Sequence, residues 1–285
     1  MKALIFGRTG QVARELARRV PAGTEIISLG RDRADLSDPA ACAAAVAAHP
    51  ADVVINAAAY TAVDRAEEEE ALATVINGEA PAAMARAAAE KGVPFLHIST
   101  DYVFDGSGTA PRAPGDATAP LGAYGRSKLV GEAGVSAAGG AHAILRTSWV
   151  FSAHGQNFVK TMLRLAETRD ALNVVADQVG GPTAASDIAA ALWRMAQAFL
   201  RGQGRSGIYH FSGAPDVSWA GFAREIFAQG RQTVSVTGIP ASDYPTPARR
   251  PGNSRLDCSD TETYFGIKRP DWRTSLADVL SQLKE

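Results

Sequence analysis

The opening of the chain constrains its fold most. An apolar run, Lys2–Phe6, ends in Gly7-Arg8-Thr9-Gly10 and passes straight into Gln11-Val12-Ala13, the start of a helix-spaced stretch. A buried strand that turns so tightly into a helix needs glycine at the corner. Gly10 lets a pyrophosphate approach the backbone N–H groups at the helix N-terminus, and Ala13 is small enough for close helix–strand packing. Strand, turn and helix in this order are the context a dinucleotide fingerprint requires. Gly7, Gly10, Gln11 and Val12 are therefore expected to hold a dinucleotide cofactor.

The rest of the first half repeats the alternation. Glu25–Leu29 reads as a second strand, and the alanine-rich residues 40–48 as a helix. Residues 52–57 make a third strand, 67–91 one long helix and 93–99 a fourth strand. Helix at 121–133, strand at 143–147, helix at 157–167 and strand at 172–175 follow. Strands alternating with helices imply right-handed crossovers and an α/β fold with a doubly wound parallel sheet. From about Gly202 glycine and proline become frequent, predicting a smaller, loop-rich C-terminal part. The expected division gives residues 1–150 and about 171–200 to the dinucleotide half. About 151–170 and 201–285 fall to the substrate half.

Charge and composition narrow the function classes. Twenty-nine basic against 30 acidic residues leave a net charge of -1, with no excess to neutralise a nucleic-acid backbone. The short first apolar run is neither a signal peptide nor a membrane span, so a soluble cytoplasmic protein is expected. Two cysteines, Cys42 and Cys258, cannot form a disulfide framework. Five histidines, at 49, 97, 142, 154 and 210, stand singly and are expected at the surface or in the core. The acidic run 67–70 reads as carboxylates at a helix N-terminus, facing water.

The end of the second strand discriminates NAD from NADP in such folds. Arg31 suits a 2′-phosphate and Asp32 a 2′-hydroxyl. These signals conflict, and the reading leans to NADPH with NADH tolerated. Farther on, Tyr124 and Lys128 share a helix face at i and i+4. A phenol is a poor proton donor near neutrality, and a neighbouring ammonium is expected to lower its pKa. The fourth strand ends in Ser99-Thr100-Asp101, at the edge where open α/β sheets bind ligands. Thr100, Tyr124 and Lys128 form a set suited to protonating a carbonyl oxygen during hydride transfer.

With these motifs the chain resembles the extended short-chain dehydrogenase/reductases that act on nucleotide sugars, and within them the dTDP-4-dehydrorhamnose reductase family. The likeness rests on FGRTGQV (6–12), INAAAYTAVDRAE (55–67), STDYVFDG (99–106), YGRSKLVGE (124–132), LRTSWV (145–150), DQVGGPT (177–183) and RPGNSRLD (250–257). It implies NADPH-dependent reduction of a 4-keto sugar, with Tyr124 as proton donor and Lys128 on the nicotinamide ribose. It further implies Gly10, Gln11 and Val12 at the pyrophosphate, Asp35 and Leu36 at the adenine, and Ala59, Tyr60 and Thr61 along the cofactor. Thr100 and Asp101 would contact the sugar and Trp149 would pack on it. Arg250 is the expected diphosphate ligand, with Arg249 beside it. Relatives dimerise through magnesium, and Glu15 matches one acidic ligand position; a homodimer with Mg2+ at its interface follows from that likeness.

Two other readings share the scaffold. An epimerase would keep its NAD bound. A non-catalytic partner would resemble the regulatory subunit of methionine adenosyltransferase, though Thr100, Tyr124 and Lys128 are all present here. Dehydration is disfavoured, because Asp101 is followed by Tyr102 where the related dehydratases carry a second carboxylate.

Overall fold

Six parallel strands form the central sheet of the protein, a computed structural model that describes residues 1–284. They are β1 (Lys2–Phe6), β2 (Glu25–Leu29), β3 (Val53–Asn56), β4 (Phe95–Thr100), β5 (His142–Thr147) and β10 (Gly207–His210), in the order β10-β5-β4-β3-β1-β2. The order reverses between β1 and β3, which opens a crevice at their carboxyl ends. Alternation along the strands feeds two cores. Ala3, Ile5, Val53 and Ile55 pack on α1 (Gln11–Arg18) and α7 (Ala185–Leu200). Leu4, Phe6 and Val54 pack on the other face, with α2 (Pro39–Ala48) and α4 (Ala80–Glu90). The parallel, doubly wound α/β fold expected from the alternation is the fold observed.

The expected single helix over residues 67–91 is interrupted. A 3-10 turn at Arg65–Glu67 and α3 (Glu70–Thr74) lead into a π-helical turn, Val75–Glu79, before α4 begins. Pro81 has no N–H to donate back to the carbonyl of Asn77, so the regular ladder cannot continue there. That carbonyl instead lies against Gly131 of α5 (Ala123–Ala137), where any Cβ would overlap it.

A third core lies outside the sheet. It gathers α6 (Phe158–Ala166), α8 (Trp219–Gly230) and α10 (Trp272–Gln282) around Phe222, Phe227, Trp272 and Leu276. Three small sheets frame it: β6 (Val150–Phe151) with β9 (Thr183–Ala184), β7 (Ala171–Val175) with β12 (Ser235–Ile239), and β8 (Val179–Gly180) between β11 (Val217–Ser218) and β13 (Asn253–Ser254). α9 (Ser259–Phe265) packs near β10. Two segments thus cross the expected division. β7 was expected with the dinucleotide half and pairs with β12, its Leu172 and Val174 filling the third core. β10 was expected in the C-terminal part and closes the central sheet beside β5. Among the described residues, no helix is long and apolar enough to cross a membrane.

Candidate active site

A cavity of about 1020 Å³ opens over the crevice between β1 and β3 and runs on past β4 and β5. That is the upper end of the range for ligand sites, and it suits a ligand larger than one small molecule. Its first wall is the β1–α1 turn. Gly7 takes a φ of +117°, a conformation only glycine adopts comfortably, and a Cβ there would lie 3.2 Å from Ala57 O. Gly10 caps α1 without a side chain, and no acidic residue sits in the first helical turn. Free N–H groups and the positive helix end therefore face the cavity. This cradle fits a pyrophosphate.

Arg8, Arg31 and Asp32 line the same end, with Asp35 and Leu36 beside them. Arg8 Nη2 lies 3.4 Å from Asp32 Oδ1, and Arg31 Nε 3.9 Å from Asp35 Oδ2. Nothing in the sequence singles out Arg8, whose position inside the turn brings it to the tip of β2. The Ser37 backbone N–H holds the Asp35 carboxyl below its ordinary range.

After β3, Ala59 and Thr61 border the cavity. Tyr60, expected beside them, does not line it. Its hydroxyl donates to Glu69 Oε2 at 2.7 Å, and its backbone N–H and C=O are both taken by the Asn77 amide, at 2.8 and 3.0 Å. The acidic run is likewise less solvated than expected. Glu67 accepts from the Ala123 N–H at the start of α5, and Glu70 pairs with Arg126.

The opposite end gathers Thr100, Asp101, Tyr124, Lys128, Thr147 and Trp149. Beneath them Arg146 makes two bonds to Glu132, at 2.8 and 2.6 Å, and Ser99 donates to the same carboxylate at 2.5 Å. This buried ion pair locks α5 to β4 and β5, and with it the placement of Tyr124. Burial first, then the charge of Asp101, pushes the Tyr124 phenol up to about 12 against a lowering by the Thr100 hydroxyl. The expectation that Lys128 acidifies Tyr124 is not met. Lys128 Nζ donates to Ile98 O at 2.7 Å and faces His97 Nε2 at 3.2 Å, and burial brings it down to about 8. Tyr124 is a protonated phenol at neutral pH.

Asp101 is buried, and burial pushes its carboxyl up to about 6 against the nearby Ser254 and Thr100 hydroxyls. Its Oδ2 and the Thr147 Oγ1 have no hydrogen-bond partner within the protein. Buried polar atoms are nearly always paired, so two orphans in one cavity mark where a polar ligand belongs. Thr147 and Ser254 lie inside the LRTSWV and RPGNSRLD motifs without being assigned a role from sequence, and Trp219 lies in no motif. Ser254 and Trp219 come from the C-terminal part, and only the fold carries them here. Trp149 lies face to face on Trp219, ring centroids 3.5 Å apart.

Arg250, expected on a diphosphate, does not line the cavity. Its guanidinium makes two bonds to Asp64, at 3.0 and 2.8 Å. Glu15 is buried, and Arg18, Arg19 and His154 surround its carboxylate. With cations already on both oxygens it does not fit a magnesium ion. Among the described residues no cluster of three or more His, Cys, Asp or Glu is arranged to hold a metal.

Comparison with known proteins agrees with this geometry. The family model described as the RmlD substrate binding domain matches residues 1–285. A dTDP-4-dehydrorhamnose reductase of Sinorhizobium fredii is 47% identical over 282 residues, 96% of this chain and 95% of the relative. The chain belongs to the dTDP-4-dehydrorhamnose reductase family. A solved member from Clostridium acetobutylicum superposes with a TM-score of 0.93 at 36% identity, covering 100% of each chain. Another, from Bacillus anthracis in complex with NADP, gives a TM-score of 0.92 at 31% identity over 99% of each chain. In this chain the glycine cradle and the Thr100–Tyr124 cluster lie at opposite ends of one cavity.

Proposed function

We propose that the protein reduces the 4-keto group of dTDP-4-dehydrorhamnose to the alcohol of dTDP-L-rhamnose, using NADPH, with NADH as a weaker substitute. The observation that carries this reading is the pairing of a pyrophosphate cradle with the half-buried Tyr124 phenol in one cavity. When bound, the dihydronicotinamide supplies a hydride to carbon 4. Gly7, Gly10, Gln11 and Val12 hold the pyrophosphate, with Asp35 and Leu36 toward the adenine and Ala59 and Thr61 along the chain between. Arg8 and Arg31 are the cations at the 2′ position and favour a phosphate there over the free hydroxyl that Asp32 would accept.

Tyr124 gives its proton to the ketone oxygen as charge develops on it. A phenol held up to about 12 keeps that proton until the oxygen becomes basic. Thr100 donates a second hydrogen bond to the same oxygen, and Asp101 and Thr147 take sugar hydroxyls with their unpaired oxygens. Lys128 presents its amine to the nicotinamide ribose. Trp149 offers the apolar face of its indole to the deoxy carbon of the sugar. Cofactor binding falls to the sheet half, while the C-terminal part contributes Ser254 and Trp219 to the sugar end. Remote binding of the nucleotide orients the reacting carbon.

The test is NADPH oxidation with dTDP-4-dehydrorhamnose, run beside its UDP analogue. Wild type turns over the first and disfavours the second. Tyr124→Phe, which keeps the ring, loses roughly 10²- to 10⁴-fold in turnover. A folded Phe variant at wild-type rate overturns the assignment of the proton donor.

A further inference from the structure

Residues 152–157 join β6 to α6, and two of them, Gly155 and Gln156, line the cavity. A Cβ on Gly155 would lie 3.6 Å from Gln11 Cγ, so the segment touches the first residue of α1. Two side chains of α1, one turn apart, hold it there. Gln11 Oε1 accepts from Ser152 Oγ at 2.8 Å and from Asn157 Nδ2 at 2.9 Å. The buried Glu15 carboxylate lies 3.0 Å from His154 Nε2.

Backbone fixes which way the Gln11 amide points. The Lys160 N–H, which can only donate, donates to Asn157 Oδ1 at 3.2 Å and so caps α6. Asn157 therefore turns its NH₂ toward Ser152 O, at 2.8 Å, and toward Gln11. Gln11 meets that NH₂ with its oxygen, and its own NH₂ is turned away from the segment. The opposite orientation would set NH₂ against NH₂. Flipping Asn157 as well would put its oxygen against the Ser152 carbonyl and strip the cap from α6. Among the described residues the Gln11 NH₂ has no hydrogen-bond partner, and Gln11 stands at the helix end whose free N–H groups face the cavity.

We propose that the Gln11 side chain is a further cofactor ligand, its NH₂ donating to the pyrophosphate, and that Asn157 is the positioning residue that aims it. The proposal deepens the reductase reading and rests on its cofactor half. A bond from an amide to an anionic oxygen is charge-assisted, so its direction matters more than that of a neutral pair. The same contact ties the cradle to the third core, because Phe158, next after Asn157, packs on Trp219.

NADPH binding, followed by its fluorescence without sugar, tests the assignment. Asn157→Asp keeps the cap, since a carboxylate accepts from the Lys160 N–H as the amide oxygen does. It also draws the Gln11 NH₂ onto itself and leaves Oε1 facing the pyrophosphate. Asn157 is outside the cavity lining, so any effect on the cofactor passes through its neighbours. The Kd for NADPH is expected to rise about three- to thirtyfold, and that for NADH by the same factor, because both share the pyrophosphate. KM for the keto sugar at saturating NADPH should hold. Gln11→Met removes the amide and keeps the length of the side chain. It should weaken both nucleotides alike, and adding Asn157→Asp to it should change little. A plain charge effect of Asp would persist in the Gln11→Met background. An unchanged Kd in Asn157→Asp, a loss confined to NADPH, additive losses in the double variant, or a lowered Tm with Kd unmoved each overturns the proposal. Failure of the reductase reading looks different: wild type binds NADPH yet does not oxidise it with the keto sugar, and the Kd values still decide the role of Gln11. Wild type that binds neither nucleotide overturns both.

Discussion

At Asp101 the protein keeps a carboxyl where burial opposes its charge, and pH makes that cost measurable. The folded-state pKa rises from 3.8 to about 6, so the folded protein binds this proton more tightly than the unfolded chain. The protonated carboxyl contributes fully below pH 4, and the contribution is lost as pH rises through 6. A shift of about two units corresponds to roughly 3 kcal/mol against the ionised fold above that window. Asp101→Asn removes the charge and keeps the shape. Urea unfolding of the variant is expected to match wild type near pH 4 and to exceed it by an amount of that order at pH 7.5, while reductase activity falls. Equal stability gains at both pH values would mean that the carboxyl carries no buried charge. At this scale the sequence was partly legible. Thr100, Asp101, Tyr124 and Lys128 follow from local motifs, because helix spacing and strand ends are local properties. Arg250 was not legible, because its partner Asp64 lies far away in sequence and no motif records the pair. His97 stood singly in the sequence, expected at the surface or in the core, and lies buried with Nε2 facing Lys128 Nζ at 3.2 Å.

Between elements, close approach rather than side-chain chemistry places the proton donor. Gly125 follows Tyr124 directly, and a Cβ on it would overlap the Tyr102 carbonyl and lie 2.9 Å from Pro120 Cβ. Gly131 sits equally close to the π-helical turn at Asn77. α5 is thus pressed against backbone on two sides, and the glycines are what permit it. Gly125→Ala must push the helix away from the end of β4. We expect a loss of about 1–3 kcal/mol by overpacking. Displacement of Tyr124 should lower kcat more than it weakens NADPH. Gly115→Ala, where a Cβ meets nothing within 4 Å, is the control. A Gly125→Ala enzyme with normal kcat would show that the phenol is placed by the Arg146–Glu132 pair alone. Strand and helix order here was legible because hydrophobic period reports it. The π turn was not, since it arises from the missing N–H of Pro81 meeting an Asn77 amide already committed to Tyr60, and periodicity carries no trace of that.

Across the whole molecule, the sugar end of the cavity belongs to both cores at once. Trp149 leaves β5 with a φ of +50°, a conformation that is strained for a bulky residue and typically costs on the order of 1–3 kcal/mol. It is held there by a backbone bond from Thr183 N at 3.2 Å and by the stacked Trp219 at the start of α8. Phe158 at the start of α6 lies against Trp219 in turn, 4.6 Å between ring centroids. The indole that lines the cavity is therefore aimed by the C-terminal core, so one stack serves both packing and the surface expected to meet the sugar. Trp219 is outside the cavity lining, so Trp219→Leu removes the support without removing the contact. An aromatic pair of this kind is worth about 0.5–1.5 kcal/mol beyond its buried area. Trp219→Leu should therefore lower Tm and raise KM for the keto sugar by roughly two- to tenfold, with the Kd for NADPH unchanged. In a double-mutant cycle with Trp149→Phe, the two effects on KM should be less than additive, because each variant disables the same stacked surface. Additive effects, or a Trp219→Leu enzyme that loses stability while its KM for the sugar holds, would separate the C-terminal core from substrate recognition.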